Sequence, residues 1–535
     1  MRSTRSLAGK EVESPTVQAW RAACPKADMY RCEGPITARG GNEMDLEPKM
    51  DRKQNAPSVG KEVSRREFLK IAGVAGAVVG LGAGMGGLVT ACGGEETTTT
   101  SATVTSASTT EASTATTSGA TTTVSASAET GPEIKLGVVT PTTGGLATFG
   151  VADSYCVDRA KEAVGDGLIC GDGKKHPINF LVRDSQSDTN RAAQVAGDLI
   201  MNDKVNLMMA ASTADTTNPV ADQCESAEMP CITTDCPWQN YVYGRTNTYD
   251  AVFKWTYNVF WGTEDVIATY SDMWNQVDTN KKVGEMLVND ANGNPWVKPW
   301  ADAMPKLGYT ATVTSQPLPG TEDFTAQIGD FKKAGCEIAF GMLFPPDFVN
   351  FWKESAQQGW QPKIVTYAVA NMFPQAVEAQ GDMGNRLCCE QMWSRTHPFT
   401  SPLLGESCAQ FADEFEKRKN MQWTPPLFHF VMFEWAIDVL KRATDLTDKN
   451  AILEAIKATK MDTIGGPIDF TAPIDGWDTP KIGPSRPIQN HYKTPLVGGQ
   501  WIKTAGGKYP YELVTVSNAA APMVPLGGKV EPLVY

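Results

Sequence analysis

Residues 134–145, IKLGVVTPTTGG, decide the fold. Ile134 to Val139 is a short apolar and β-branched run of the length of a buried strand, and the stretch from Pro141 to Gly145 ends it with turn residues. A helical pattern from about Ala147 to Val164 follows directly. Strand, turn and helix in that order begin a unit whose chain returns to lay a second strand parallel to the first.

The unit repeats downstream. Ile178 to Arg183 reads as a strand, followed by a helix from about Asn190 to Met201. Val205 to Ala211 is a third, buried strand, with a helix beginning near Pro219, and Cys231-Ile232-Thr233 is a fourth. The alternation resumes with Lys282–Val288, a helix around Trp300, Ala311–Thr314, a helix over Asp323–Lys333, Ile338–Phe344, a helix over Phe348–Gln358, and Ile364–Tyr367. Two such series, each of roughly 120–150 residues, predict an α/β protein of two doubly wound parallel-sheet lobes joined by a hinge.

In parallel sheets of this kind ligands sit beyond the carboxyl ends of the strands. Here those ends are small and polar: Thr140 to Gly145 after the first strand, Ser212-Thr213-Ala214-Asp215-Thr216-Thr217 after the third, and Thr233-Thr234-Asp235 at the fourth. Hydroxyls and free N–H groups at a helix start suit a carboxylate or another anion. The same residues also serve as ordinary helix caps. Three such loops at one sheet edge favour a site over capping alone.

The chain has 535 residues, a net charge of −13 and 41% hydrophobic residues, enough for two to four domains of ~100–200 residues. The acidic balance argues against a nucleic-acid partner, which requires a basic surface. The four histidines (His176, His397, His429, His491) are far apart in sequence, so no metal site is expected. The folded part carries no G-x-S-x-G, H-E-x-x-H or Walker pattern, so no catalytic residue, cofactor or enzymatic activity is expected.

The N-terminal region points outward from the cell. Arg65 and Arg66 precede Glu67-Phe68-Leu69-Lys70 and an apolar run from Ile71 to Ala91. A basic region followed by an apolar stretch is an export signal, and the arginine pair resembles the twin-arginine type. Val89-Thr90-Ala91-Cys92 resembles a lipobox, with cleavage before Cys92 and acylation of its thiol. A permanent membrane helix fits less well, because seven glycines between Gly73 and Gly87 dilute the run. The G-x-G-x-x-G match at Gly82–Gly87 lies inside this signal and has no strand before it. Residues 1–49 lack periodicity, and Met50 is an alternative start. Residues 92–132 form a tether: Thr97 to Thr130 is almost wholly Thr, Ser and Ala and cannot build a core.

Nine of the twelve cysteines lie beyond Cys92, and an exported chain is expected to pair most of them. Cys156 with Cys170, and Cys388 or Cys389 with Cys408, are the expected pairs, leaving at least one free thiol.

Residues 134–150, Asp184–Asp188 ahead of a helix, 205–237, Thr321-Glu322-Asp323-Phe324, and Phe348–Trp360 ending in Gln-Gln-Gly-Trp resemble the leucine/isoleucine/valine-type solute-binding proteins of ABC importers. The resemblance spans residues 133–395 and rests on the order of many segments. It implies a type I periplasmic-binding fold: lobe 1 from residues 133–258 with 394–445 returning, and lobe 2 from 259–393 with 446–535. It further implies a monomer that captures an amino acid or related carboxylate or amide between its lobes, held at the membrane by its lipid. The captured solute then passes to ABC permease and ATPase subunits. A sensor on the same fold, signalling to a partner protein, is the alternative.

Carried over by position, Ser212 and Thr213 match the family's carboxylate-holding loop. Thr234, Asp235 and Trp238 fall in a second contact loop, Asn292 replaces a frequent Tyr, and Phe344 falls at an aromatic wall of lobe 2. The acid that receives an amino acid's ammonium belongs near Tyr367-Ala368-Val369, where only Tyr367 is polar. Either Asp235 substitutes from the other lobe, or the solute has no ammonium. Trp238, Trp255, Trp296, Trp300 and Trp393 lie near strand ends or crossovers, and one or two of them are expected at the ligand.

Overall fold

The computed structural model describes residues 128–249, 251–471 and 490–535. Arg65, Arg66, Cys92 and the tether up to residue 127 lie outside the described residues; its last part is not free, since Glu129, Thr130 and Gly131 pair with Lys174 and Lys175. Among those described, no helix is long and apolar enough to cross a membrane.

Two large sheets carry the fold. β1 (Ile134–Thr140) is followed by the small hairpin β2 (Leu168–Ile169) and β3 (Lys175–His176). Then come β4 (Ile178–Asp184), β5 (Leu207–Ala210), β6 (Cys231–Thr234) and β7 (Thr256–Val259). With β15 (His491–Tyr492) they form a wholly parallel sheet in the order β15-β7-β6-β5-β1-β4. The second sheet holds β8 (Lys282–Leu287), β9 (Thr310–Val313), β10 (Ile338–Leu343), β11 (Ile364–Val369) and β12 (Cys388–Gln391). Its order is β17-β16-β12-β11-β10-β8-β9, with β16 (Val497–Lys503) and β17 (Tyr511–Ser517) added antiparallel at one edge. A separate hairpin pairs β13 (Lys460–Thr463) with β14 (Gly466–Asp469).

In each lobe the first strand lies between the second and the third, so the loops after the first and third strands leave in opposite directions and open a crevice. β5, β6, β10 and β11 are buried along their whole length, as expected of strands covered by helices on both faces. The second lobe's core is aromatic: Phe340 packs at 4.1 Å from Trp300 and 5.7 Å from Trp274.

The chain passes between the sheets three times: from Val259 through Phe260-Trp261-Gly262 to the helix Thr263–Asn275, after Gln391, and between Tyr492 and Val497. The last passage differs from the expected return at residue 446. The helix Lys449–Lys457 packs on the helix Phe430–Arg442, and His491–Tyr492 still pairs with β7, so the second sheet is rejoined only at Val497.

The disulfide expectation is overturned: all nine cysteines in the described residues are free and buried. Several of these thiols point at oxygen acceptors close by. Cys156 points at the Leu427 carbonyl oxygen, while Cys408 points at those of Phe399 and Ile464. The helix predicted near Pro219 begins earlier, at Ala214, and accommodates Pro219 in its second turn. Strand β12, which the alternation pattern does not reveal, completes the parallel part of the second sheet.

Candidate functional site

The facing strand ends enclose a chamber of about 20 Å³, room for roughly one water in this closed arrangement. Lobe 1 supplies Phe149, Thr213, Asp235, Pro237 and Asn240, and lobe 2 supplies Asn292, Met342, Val369, Met372 and Glu390. Phe260, Trp261 and Met392 come from the passages between lobes and form the floor.

The loops that make the wall are backbone-strained. Ser212 (φ 81°), Thr213 (70°), Asp235 (55°) and Val369 (66°) all adopt the left-handed region without being glycine. For a β-branched residue such as Val369 this is costly, and strain of this kind gathers at functional sites where the surrounding fold enforces it. The enforcement is visible: the Thr213 N–H donates to the Asp235 carbonyl oxygen at 3.0 Å, so the ends of β5 and β6 hold each other. The Val369 N–H donates to Glu390 Oε1 at 2.8 Å.

Asp235 reaches the wall with an internal partner. Its Oδ2 lies 2.9 Å from Nε2 of His429, whose Nδ1 lies 2.6 Å from Asp153 Oδ1. Thr140 donates to the other Asp153 oxygen. Burial drives the His429 pKa down, but the charge and hydrogen bond of Asp153, followed by those of Asp235, carry it up to about 10. Both ring nitrogens thus face a carboxyl oxygen, an arrangement that favours the imidazolium. Burial pushes Asp235 up, and His429 opposes that push. Phe149 stacks parallel to the His429 ring at 6.2 Å and separates it from the chamber.

Across the chamber, Glu390 is buried on β12, where its Oε2 accepts from the Tyr270 hydroxyl at 2.6 Å. Burial lifts its pKa to about 7, against these two donors. Asn292 latches the lobes: its Oδ1 accepts from the Ala214 N–H at 2.9 Å, and its amide nitrogen donates to Asp215 Oδ2 at 2.7 Å. Asn240 donates to the Asn292 carbonyl oxygen at 2.6 Å. Gly293 permits this turn, because a Cβ there would overlap the Val288 carbonyl oxygen.

Of the residues expected at the site, Thr213, Asp235 and Asn292 line the chamber. Ser212 adjoins it, fully buried, and neither its hydroxyl nor that of Thr213 has a partner among the described residues. The other four stand elsewhere. Thr234 donates to the Val259 carbonyl oxygen inside the sheet, and the Trp238 indole donates to Glu264. Phe344 precedes the helix Pro345–Gln357, and Tyr367 is packed between Phe348 and Phe351 of that helix. Tyr367 sits mid-strand on a covered sheet face, whereas the chamber is built from beyond the strand ends. Of the five tryptophans singled out none lines the chamber; Trp261 does.

The acid missing near Tyr367-Ala368-Val369 is present in space. Glu390 reaches the Val369 backbone from the neighbouring strand, which sequence order concealed. The run 387–393, Leu-Cys-Cys-Glu-Gln-Met-Trp, is short, apolar and broken by one acid, which was the available signal.

The periplasmic binding protein family model matches residues 133–477, and the twin-arginine translocation signal model matches residues 62–82. The second match marks the chain for export from the cytoplasm. No curated protein matches the sequence. Among solved structures, a leucine-binding protein LivK from Thermotoga maritima is 15% identical, with TM-score 0.56 over 71% of this chain and 97% of that one. A substrate-binding protein from R. palustris in complex with benzoate is 14% identical, with TM-score 0.55 over 75% and 98%. LivJ from Streptococcus pneumoniae, in complex with isoleucine, is 15% identical, with TM-score 0.53 over 72% and 99%. At these identities the likeness is one of fold, two α/β lobes of the type I binding-protein kind. The family model covers well over half of the chain, and the chain belongs to the periplasmic binding protein family.

Proposed function

We propose that this chain is the solute receptor of an ABC importer, working outside the cytoplasm. It captures a small organic solute between its lobes and presents the closed form to a membrane permease. Ser212, Thr213, Asp235 and Asn292 contact the solute's polar part. The observation that carries this reading is the pair of buried hydroxyls, without a partner among the described residues, on a strained loop set against a wall from the opposite lobe. Unpaired buried polar groups are costly, and a bound solute satisfies them.

The N-terminal sequence supports the same role. Cleavage before Cys92 and acylation of its thiol anchor the chain, and residues 92–132 give the receptor reach from the membrane. The chamber's small volume means that a solute of several heavy atoms enters only when the lobes part, a hinge motion about the three passages. Capture then follows from higher affinity for the closed state.

Thermal unfolding of the full chain, screened against amino acids, amides, amines and organic acids, tests the reading. A true solute at ~100 times its dissociation constant adds about 2.7 kcal/mol and raises the midpoint. A midpoint that no small solute moves would overturn the receptor role.

A further inference from the structure

We propose that the chamber selects a small organic amine, a cation on an apolar body with no carboxylate, and that Glu390 supplies its counter-charge. The inference rests on the solute-receptor reading and narrows it. It departs from the leucine, isoleucine and benzoate named for the structural neighbours, all of which carry a carboxylate.

The charges of the wall carry the argument. Two acids, Asp235 and Glu390, line the chamber, and among the described residues no Lys, Arg or His does. The Asp235 charge is offset from behind by His429, which Asp153 shares. Among the described residues Glu390 has no such cation; its partners there are the Tyr270 hydroxyl and the Val369 N–H, one to each oxygen. A carboxylate accepts about four hydrogen bonds, so lone pairs are left for an ammonium N–H.

The place where an anion would bind is already taken. The Thr213 N–H is used by the Asp235 carbonyl oxygen, and the Ala214 N–H by Asn292. Asp215, in the first turn of that helix, and Asp290 both accept from the Asn292 amide, at 2.7 and 3.2 Å. An incoming carboxylate would meet these two acids and find the N–H groups occupied. The hydroxyls of Ser212 and Thr213 have oxygens that accept as readily as they donate, so an ammonium satisfies them. The indole N–H of Trp261, buried and without a partner among the described residues, leaves room for one neutral acceptor on the solute. The rings of Phe149, Phe260 and Trp261 suit a cation or its apolar body.

Burial also places Glu390 near pH 7, so protons compete with the cation. The groups facing it are the Tyr270 hydroxyl on the helix Thr263–Asn275, the Val369 N–H on β11, the Cys389 thiol beside it in β12 and, across the chamber, Asp235.

The test uses two sets of compounds sharing a skeleton, titrated calorimetrically into the full chain: 3-methylbutylamine, L-leucine and 4-methylpentanoate, and 2-phenylethylamine, L-phenylalanine and 3-phenylpropanoate. In at least one set the amine is expected to bind, with its deaminated acid and its amino acid each at least ~100-fold weaker. Glu390→Gln should weaken the amine by at least ~30-fold. If that variant fails to fold, the wild-type chain gives the same answer, because amine affinity should fall towards tenfold per pH unit below pH 7. Tighter binding of an acid or amino acid, a pH-independent amine, or silence towards both amines overturns the proposal and leaves the receptor reading standing. Silence towards all six compounds and towards deproteinised yeast extract would remove the receptor reading as well.

Discussion

His429 stands 2.9 Å from Asp235, one layer behind the chamber wall, and ties the loop after β6 to the returning part of the chain. Neither residue is exposed, and the two are 194 positions apart. The pair converts a residue that would be the wall's strongest charge into a largely compensated one. Its removal has consequences for both stability and specificity.

His429→Gln leaves Asp153 and Asp235 buried together without a cation. Breaking a buried ion pair from one side costs about 3–5 kcal/mol. Urea unfolding should show a loss of that order. In an Asp235→Asn background the same change should cost clearly less, because one uncompensated charge is gone.

Asp235→Asn should weaken amine binding by less than ~10-fold, a smaller effect than Glu390→Gln, because His429 already offsets the Asp235 charge. Calorimetric titration of both variants with the same amine gives the order. A larger effect at Asp235 would make it the solute's charge partner.

Asn292→Ala removes the contacts to Ala214 N and Asp215 that join the lobes. Each lost hydrogen bond with a buried partner costs about 1–3 kcal/mol. The expected outcome is a more open chain without solute, seen as a larger radius of gyration in small-angle scattering, and weaker solute binding.

Stability should fall as pH rises from 6.5 to 8. Burial raises Asp215, Glu264, Glu285 and Glu390 to about 7 and Glu434 to about 8. The native chain therefore keeps protons that the unfolded chain, with carboxyls near pKa ~4, has released. That contribution is complete below the ordinary carboxylate range and is lost as pH rises through 7 to 8. His429, raised to about 10, acts in the same direction. The buried His397 and His491, lowered to about 3, act only below about pH 6.5. Melting midpoints across this window should drop by several degrees, and a flat profile would contradict these protonation states.

The nine buried thiols give a direct chemical check. A thiol reagent should label none of them in the native chain and all nine after denaturation, without prior reduction. Slow labelling that requires a reductant would restore the disulfides.

Alternation of strand and helix from Ile134 to Tyr367 was enough to determine two doubly wound lobes, because buried parallel strands and their crossover helices have distinct hydrophobic periods along the chain. Export was legible too, in Arg65, Arg66 and the run after them. At the site, sequence pointed to strand-end loops, and of the residues it named the structure brings Thr213, Asp235 and Asn292 to the chamber wall and Ser212 beside it. Sequence also named Thr234, Trp238, Phe344 and Tyr367, which stand away from the chamber, and it paired cysteines that the structure leaves free.

Only tertiary structure could decide the chemistry of the chamber. Glu390 serves the Val369 position from the next strand, and His429 compensates Asp235 across 194 residues. The first depends on which strands lie side by side at about 5 Å, the second on how the returning segment that ends in His429 packs against the loop after β6; neither is a property of sequence neighbourhood. Charge in a buried chamber is set by such neighbours. The fold is therefore written locally along the chain, while specificity is a property of residues that only folding brings together.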